Sequence, residues 1–100
     1  MSNHKPAIEL SDLAGQDLED ILQYTLETWG LAQMDTYAAL LQSGLQLLQD
    51  NPGLGKPRDD WFPGCRCYRI EHHLALYEIA EGTICVARFF HRRMDPARHL

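Results

Sequence analysis

Apolar residues along this chain recur first at a helical spacing and later at a strand spacing. The alternating stretch Ala7–Leu10 predicts a short first strand. Across residues 13–29 and again across residues 34–48, apolar side chains recur in steps of three and four, which is typical of amphipathic helices. Ser11 is a favoured N-cap for the first helix, and Gly30 is a favoured stop at its end. Two helices with so short a connection predict an antiparallel helical hairpin.

The spacing of apolar residues changes to two in the second half of the chain. Residues 65–71 alternate between apolar and polar side chains, and residues 74–79 and 83–90 form two further runs typical of strands. The short connections at residues 72–73 and 80–82 predict hairpin turns. The second half of the chain is therefore expected to form a three-stranded meander.

The element order β-α-α-β-β-β predicts an α+β fold. The helical hairpin and the meander each have one apolar face to bury, so the hairpin is expected to pack on one face of a small antiparallel sheet. The first strand is expected to join this sheet beside the C-terminal strand. Trp29 and the leucine-rich helix faces are expected in the core, while Trp61 and Phe62 are expected to anchor their loop to it. One hundred residues suffice for one domain, which we assign to residues 1–100.

The net charge of −5 conceals an asymmetry between the two halves of the chain. Residues 1–50 carry eight acidic side chains against one lysine, a net charge of −7, whereas residues 51–100 carry six acidic side chains against eight Lys and Arg, a net charge of +2. General nucleic-acid binders are usually basic, because neutralised phosphates supply most of their non-specific affinity. The sequence therefore argues against direct sequence-specific nucleic-acid binding.

No part of the sequence predicts a membrane segment. No apolar run approaches the roughly 20 residues that span a bilayer, and residues 1–6 lack the apolar core of a signal peptide. We therefore expect a cytoplasmic protein with no membrane partner. An odd number of cysteines fits the reducing cytosol better than a disulfide framework.

A zinc site is the alternative interpretation of the cysteines and histidines. The candidate ligands are Cys65, Cys67, Cys85, His72, His73 and His91. The Cys-x-Cys spacing differs from the usual two-residue knuckle, and no matching pair follows it. We expect the cysteines to be small buried residues, with no metal and no cofactor.

The stretch His91-Arg92-Arg93-Met94-Asp95, which follows Phe89-Phe90, is the densest cluster of cations in the sequence. A charge run is often only a solvated face. Because the first half of the chain is acidic, these arginines are a local feature, and a surface for a partner is the functional interpretation.

Several short stretches, taken together in their order and spacing, match one protein family. They are Leu10-Ser11, Asp17-Leu18-Glu19-Asp20-Ile21, Tyr24-Thr25, Trp29-Gly30, Asn51-Pro52-Gly53-Leu54-Gly55, Pro63-Gly64-Cys65-Arg66 and His91-Arg92-Arg93-Met94-Asp95. Over nearly its whole length the chain resembles the ParE-type toxins of the RelE/ParE superfamily, from bacterial type II toxin–antitoxin (plasmid stabilisation) modules. The resemblance implies the same helical hairpin on a small antiparallel sheet.

The resemblance also implies a function, with two branches. ParE-type toxins inhibit DNA gyrase by binding it, whereas RelE-type toxins are ribosome-dependent mRNA endoribonucleases. Both are neutralised by an antitoxin, which for a ParE-type toxin is a ParD-like protein. The sequence favours gyrase inhibition, because the predicted helices contain no Lys or Arg and no tyrosine follows Tyr77. A non-toxic relative that binds only its antitoxin remains a further alternative.

Candidate site residues follow from these alternatives. For binding to a target protein they are His91, Arg92, Arg93, Met94 and Asp95, supported by Arg66 and Arg88. For RNA cleavage they are Arg66, Arg88 and His91, if these lie near one another and can move a proton and stabilise a pentacoordinate phosphate. The structural alternative for Arg66 and Arg88 is an ion pair with a helix carboxylate. The sequence does not identify the antitoxin-binding residues.

Overall fold

The computed structural model describes residues 5–100; residues 1–4, which belong to the segment tested above for a signal peptide, lie outside it. Its elements in chain order are β1 (Ala7–Leu10), α1 (Asp12–Trp29), α2 (Leu31–Asp50), β2 (Lys56–Pro57), β3 (Arg66–Ile70), β4 (His73–Ala80) and β5 (Thr83–His91), with 3-10 turns at Pro52–Leu54 and Pro96–Arg98. None of the helices in the part of the chain described is long and apolar enough to cross a membrane.

The α+β fold, with a helical hairpin packed on one sheet, is confirmed. The strands lie in the order β1-β5-β4-β3-β2. Strands β2 to β5 pair antiparallel, and β1 lies beside β5 as expected. Two details differ from the sequence-based expectation: β1 runs parallel to β5, so the sheet is mixed, and the short β2 adds a fifth strand.

Single residues define both ends of α1. The Oγ of Ser11 accepts a hydrogen bond from the Ala14 N–H at 2.9 Å, which confirms the predicted N-cap. The same hydroxyl donates to the Ala87 carbonyl at 2.7 Å and so ties the start of α1 to β5. Gly30 separates the helices with a φ of +94°, in the left-handed region that favours glycine.

The main core lies between the helical hairpin and one face of the sheet. Its buried members are Ala14, Tyr37, Leu41, Leu48, Ile70, Ala75, Tyr77, Ile84, Val86 and Phe89. The leucines of α2 divide between core and surface. Leu41 and Leu48 are buried as expected, whereas Leu40 and Leu47 are exposed.

Trp29 was expected in this core, and that prediction is wrong because its side chain is 71% exposed. Trp29 is the last residue of α1 and lines an open cavity beside the β3–β4 turn. One turn earlier, the buried position is occupied by Thr25, whose hydroxyl donates to the Ile21 carbonyl at 2.8 Å. The apolar face of α1 therefore continues beyond the part of the helix that the sheet covers.

A second cluster covers part of the other sheet face. Cys65, Leu76 and Phe90 are buried there, and Trp61 and Phe62 pack against them. The expectation that these two aromatic residues anchor their loop to the core is therefore confirmed.

The buried Tyr77 hydroxyl accounts for the strand that the sequence did not predict. It donates to the Pro52 carbonyl at 2.6 Å and accepts from the Gly55 N–H at 2.9 Å. These bonds hold the loop after α2 against the sheet, so that Lys56–Pro57 pairs with β3. The predicted turns differ by one residue from those observed, since Ile70 pairs with His73 around a Glu71–His72 turn.

Two helical glycines provide a matched test of this packing. A Cβ at Gly44 would lie 2.7 Å from side-chain atoms of Ile70, whereas a Cβ at Gly15 would meet nothing within 4 Å. Gly44→Ala is expected to lower the free energy of unfolding by about 1–3 kcal/mol through overpacking. Gly15→Ala is expected to raise it by up to about 1 kcal/mol through helix propensity. Urea denaturation measures both, and equal stability of the two variants would contradict the close contact of α2 with β3.

Candidate functional site

The guanidinium of Arg88 is bound to α1. Its Nε and Nη2 donate to the two carboxylate oxygens of Asp17 at 2.7 and 2.9 Å, and the Phe89 N–H donates to the same carboxylate at 3.0 Å. Both side chains are largely buried, and the hydrogen bond to Asp17 raises the pKa of Arg88. The structural alternative for Arg88, a pair with a helix carboxylate, is confirmed.

Arg66 has a different role from the ion pair considered above. Its Nη1 donates to the backbone carbonyls of Gly55 and Gly53 at 2.8 and 3.3 Å. Its partners are therefore loop carbonyls, and the expected helix carboxylate is wrong. Like the Tyr77 hydroxyl, Arg66 fastens the loop between α2 and β2.

The three residues proposed for RNA cleavage are not brought together. Arg66 pairs with Tyr77 near one end of β3, whereas Ile70 at the other end pairs with His73, which in turn pairs with His91. Four residues of strand separate these ends by roughly 13 Å. Because Arg88 is turned to Asp17, the expected cluster of Arg66, Arg88 and His91 is wrong.

The segment His91–Asp95 leaves β5 and lies largely at the surface. Arg92, Arg93 and Met94 are exposed, and neither arginine forms an ion pair within residues 5–100. Asp95 has a local role, because its carboxylate accepts from the Ala97 N–H at 3.1 Å and caps the last 3-10 turn. Of the residues predicted to bind a target, the structure thus keeps His91, Arg92, Arg93 and Met94 together.

A cavity of about 550 Å³ adjoins this segment, and we refer to it as the histidine pocket. The helices contribute Tyr24 and Trp29 of α1 and Gln33 and Tyr37 of α2 to its lining, together with Thr25. The sheet contributes His72, His73 and His91. The sequence analysis named His91 but did not find the pocket, because its walls come from four elements that are distant in sequence.

Tyr37 and His73 are in hydrogen-bond contact within the pocket. The Tyr37 hydroxyl lies 2.6 Å from Nδ1 of His73 and accepts from the His72 N–H at 3.2 Å. We assign the Tyr37 hydroxyl as the donor to Nδ1, which places the His73 ring proton on Nε2. Burial lowers the pKa of His73 to about 4, with further lowering by His91 and His72. His73 is therefore a neutral acceptor at pH 7.

The histidine pocket and the basic segment are physically joined. The Arg92 N–H donates to the His72 carbonyl at 2.8 Å, and the Arg93 N–H donates to Nδ1 of His91 at 3.1 Å. Burial, and then Arg93 and Arg92, lower the pKa of His91. Two arginines therefore border a pocket that contains neutral rings.

The cysteines take the role of small packing residues. Cys65 is buried, and Cys67 and Cys85 are partly buried. Burial raises the pKa of the Cys65 thiol to about 11, which disfavours the thiolate that metal binding needs. Across residues 5–100, no group of three or more His, Cys, Asp or Glu side chains is placed to hold a metal ion.

The Asp17–Arg88 contact can be tested by mutation. Asp17→Ala leaves a partly buried guanidinium and the Phe89 N–H without their acceptor, so we expect the free energy of unfolding to fall by about 2–4 kcal/mol. Asp60→Ala is the control, because it breaks the more exposed pair with Arg58, whose side chains are 41% and 62% exposed, and should leave the melting temperature nearly unchanged. Equal effects of the two substitutions would contradict a structural role for Asp17.

His73 predicts a dependence of stability on pH. The unfolded chain binds a proton on this residue near pH 6.5 and the folded chain only near pH 4. The stability contributed by the neutral ring is present above pH 6.5 and is lost as the pH falls towards 4, by up to about 3 kcal/mol. His73→Gln keeps an acceptor for Tyr37 but does not titrate, so its stability should fall less between pH 7 and 4.5. Chemical denaturation at several pH values measures both proteins. If the free energies of unfolding of the wild type and of His73→Gln fell in parallel, the role of His73 would be refuted.

Solved structures share this architecture. The chromosomal ParDE toxin–antitoxin system from P. aeruginosa superposes with a TM-score of 0.75 at 19% identity, covering 89% of this chain and 98% of that one. The toxin-antitoxin complex RelBE2 from Mycobacterium tuberculosis gives 0.66 at 22% identity, covering 89% and 100%. At these identities the likeness establishes the fold alone.

Sequence comparison identifies the family as well as the fold. Toxin ParE1 of Mycobacterium tuberculosis (strain CDC 1551 / Oshkosh) is 37% identical over 92 residues, which cover 91% of this chain and 94% of that toxin. Toxin ParE of Escherichia coli is 38% identical over 84 residues, with 82% and 81% covered. Residues 8–96 match the family model described as the ParE toxin of the type II toxin-antitoxin system, parDE. The chain therefore belongs to the ParE toxin family of type II toxin–antitoxin systems.

Proposed function

We propose that this ParE-family toxin inhibits DNA gyrase by binding it in the cytoplasm, and that a ParD-like antitoxin neutralises it. The observation that carries the proposal is the exposed segment His91–Asp95, in which Arg92 and Arg93 have no acidic partner within residues 5–100. Unpaired surface cations favour encounter with an acidic protein surface and fix its orientation. The gyrase target follows from the resemblance to ParE-type toxins.

The positions of the other arginines favour binding over catalysis. Arg88 is held by Asp17 and Arg66 by loop carbonyls, so each guanidinium already has partners. Arg66 lies at the far end of β3 from His91. Arg88 lines a small cavity with His91, but its guanidinium is bound to Asp17. A ribonuclease site made of these three residues would require all of them to be close together and available. Ribosome-dependent mRNA cleavage is therefore the less supported alternative.

An antitoxin partner is supported by the relatives, since one structural neighbour is described as a ParDE system and another as the toxin-antitoxin complex RelBE2. The outer edge of β3 offers a surface for such a partner. Strand β2 pairs with only Arg66 and Cys67, so residues 68–70, which pair with β4 on their inner side, have no neighbouring strand on their outer side in the part of the chain described. An extended antitoxin segment would extend the sheet there by strand addition.

The gyrase proposal is tested by a supercoiling assay with purified gyrase and antitoxin-free toxin. Wild-type toxin is expected to inhibit supercoiling. The double variant Arg92→Glu/Arg93→Glu is expected to weaken inhibition by at least about tenfold, because the charges of the exposed segment are reversed. Added ParD-like antitoxin should restore supercoiling. Lys56→Glu, which reverses an exposed cation on the distant strand β2, is the matched control.

Absence of inhibition by wild-type toxin at micromolar excess would reject the gyrase target. Discrete codon-linked cuts in mRNA on programmed ribosomes, lost in His91→Ala, would instead establish the ribonuclease alternative. A toxin that forms a tight antitoxin complex but does neither would be the non-toxic relative.

A further inference from the structure

We infer that the histidine pocket receives an aromatic side chain from an acidic segment of the toxin's protein target; the inference rests on the proposed function and locates its anchor point. The pocket adjoins the basic segment and shares His91 with it, and its lining also includes Tyr24, Thr25 and Trp29 from the stretches that carry the family resemblance. Three features of the pocket support this occupant: its exposed rim, its hydrogen-bonded floor and its charged border.

The rim exposes aromatic surface that the fold itself does not use. The side chains of Tyr24 and Trp29 are 65% and 71% exposed at the end of α1, and Leu31 at the start of α2 is 61% exposed. Large apolar side chains grouped at one place on a small protein mark an interaction site more often than isolated ones do. Trp and Tyr are also the residues that most often supply binding energy at protein interfaces.

The floor of the pocket offers ring surface, and several of its polar atoms already have partners. The Tyr37 hydroxyl is already engaged with His73 and with the His72 N–H, and Nδ1 of His91 already accepts from Arg93. The His73 and His91 rings meet edge to face with centroids 5.3 Å apart. An aromatic side chain entering here would meet faces and edges of rings, which is the geometry that aromatic clusters prefer.

The sheet side of the pocket border carries net positive charge. Arg92 and Arg93 are bonded to the pocket residues His72 and His91. Arg69 donates to the Glu71 carbonyl at 2.7 Å, so it lies at the same turn, where Glu71 is the opposing acid. On this side three arginines stand against one glutamate, whereas Asp20 and Glu27 lie on α1. The charges therefore favour an acidic segment that leaves the pocket across its sheet side.

The same border argues for a protein segment rather than a small ligand. Arg92 and Arg93 do not line the cavity, so a molecule that only filled it would leave both uncontacted. A chain segment that inserts one ring and continues over the rim would contact both. A metal ion is not supported, because the part of the chain described contains no suitable cluster of ligands.

The test uses two pocket variants of the full-length toxin. Trp29→Ala removes the exposed ring of the rim, and Gln33→Trp fills the pocket from an exposed helical position without removing a core contact. Each is expected to raise the toxin concentration for half-inhibition of gyrase about 30-fold, the factor that corresponds to an interface hot spot. Antitoxin affinity, measured by titration calorimetry, is expected to change less than about threefold, since neither substitution alters residues 68–70 of the open β3 edge.

Ile79→Ala is the matched control, because Ile79 is also exposed and apolar but lies near the β4–β5 turn, at the opposite end of the sheet. It should inhibit gyrase as the wild type does, and thermal unfolding should show all three variants folded. Normal inhibition by both pocket variants would overturn this inference while leaving the proposed function intact. Loss of antitoxin binding with normal inhibition would assign the pocket to the antitoxin instead. Absence of inhibition by the wild type would reject the proposed function, and this inference with it.

Discussion

The outer edge of β5 must have its backbone hydrogen-bonding groups satisfied, and this constraint determines how the helices meet the sheet. Strand β1 pairs with the first part of that edge. Where β1 ends, the Ser11 N–H and hydroxyl bind the carbonyls of Val86 and Ala87. The carboxylate of Asp17 then accepts from the Phe89 N–H. One continuous stretch of chain therefore covers the edge, first as a strand, then as a helix cap, then as a helix side chain.

Because the same carboxylate binds Arg88, the constraint also decides which cations are available at the surface. Asp17 engages Arg88 with both oxygens, so this guanidinium stabilises the contact between α1 and β5. Arg66 is occupied in the same way by loop carbonyls. Arg92 and Arg93, which follow β5, have no acidic partner in residues 5–100. They form part of the surface proposed for binding gyrase.

Local patterns predicted the elements well where one face of an element is buried along its whole length. Ser11 and Gly30 were identified as the ends of α1 because capping chemistry acts within a few residues. Trp29 was misplaced because its helix continues beyond the sheet that covers the rest of the apolar face. Strand β2 was missed because its pairing depends on the Tyr77 hydroxyl, which is distant in sequence from Pro52 and Gly55.

The sequence by itself determined the α+β class, the helical hairpin, the meander and the cationic segment after β5. These depend on periodicity, caps and local charge, which act between residues close in the chain. Only the tertiary structure decided that Arg66 and Arg88 are structural, that β1 runs parallel to β5, and that Trp29, Tyr37, His73 and His91 enclose a pocket. Those outcomes depend on contacts between distant segments, since a side chain's partner is set by which elements pack side by side.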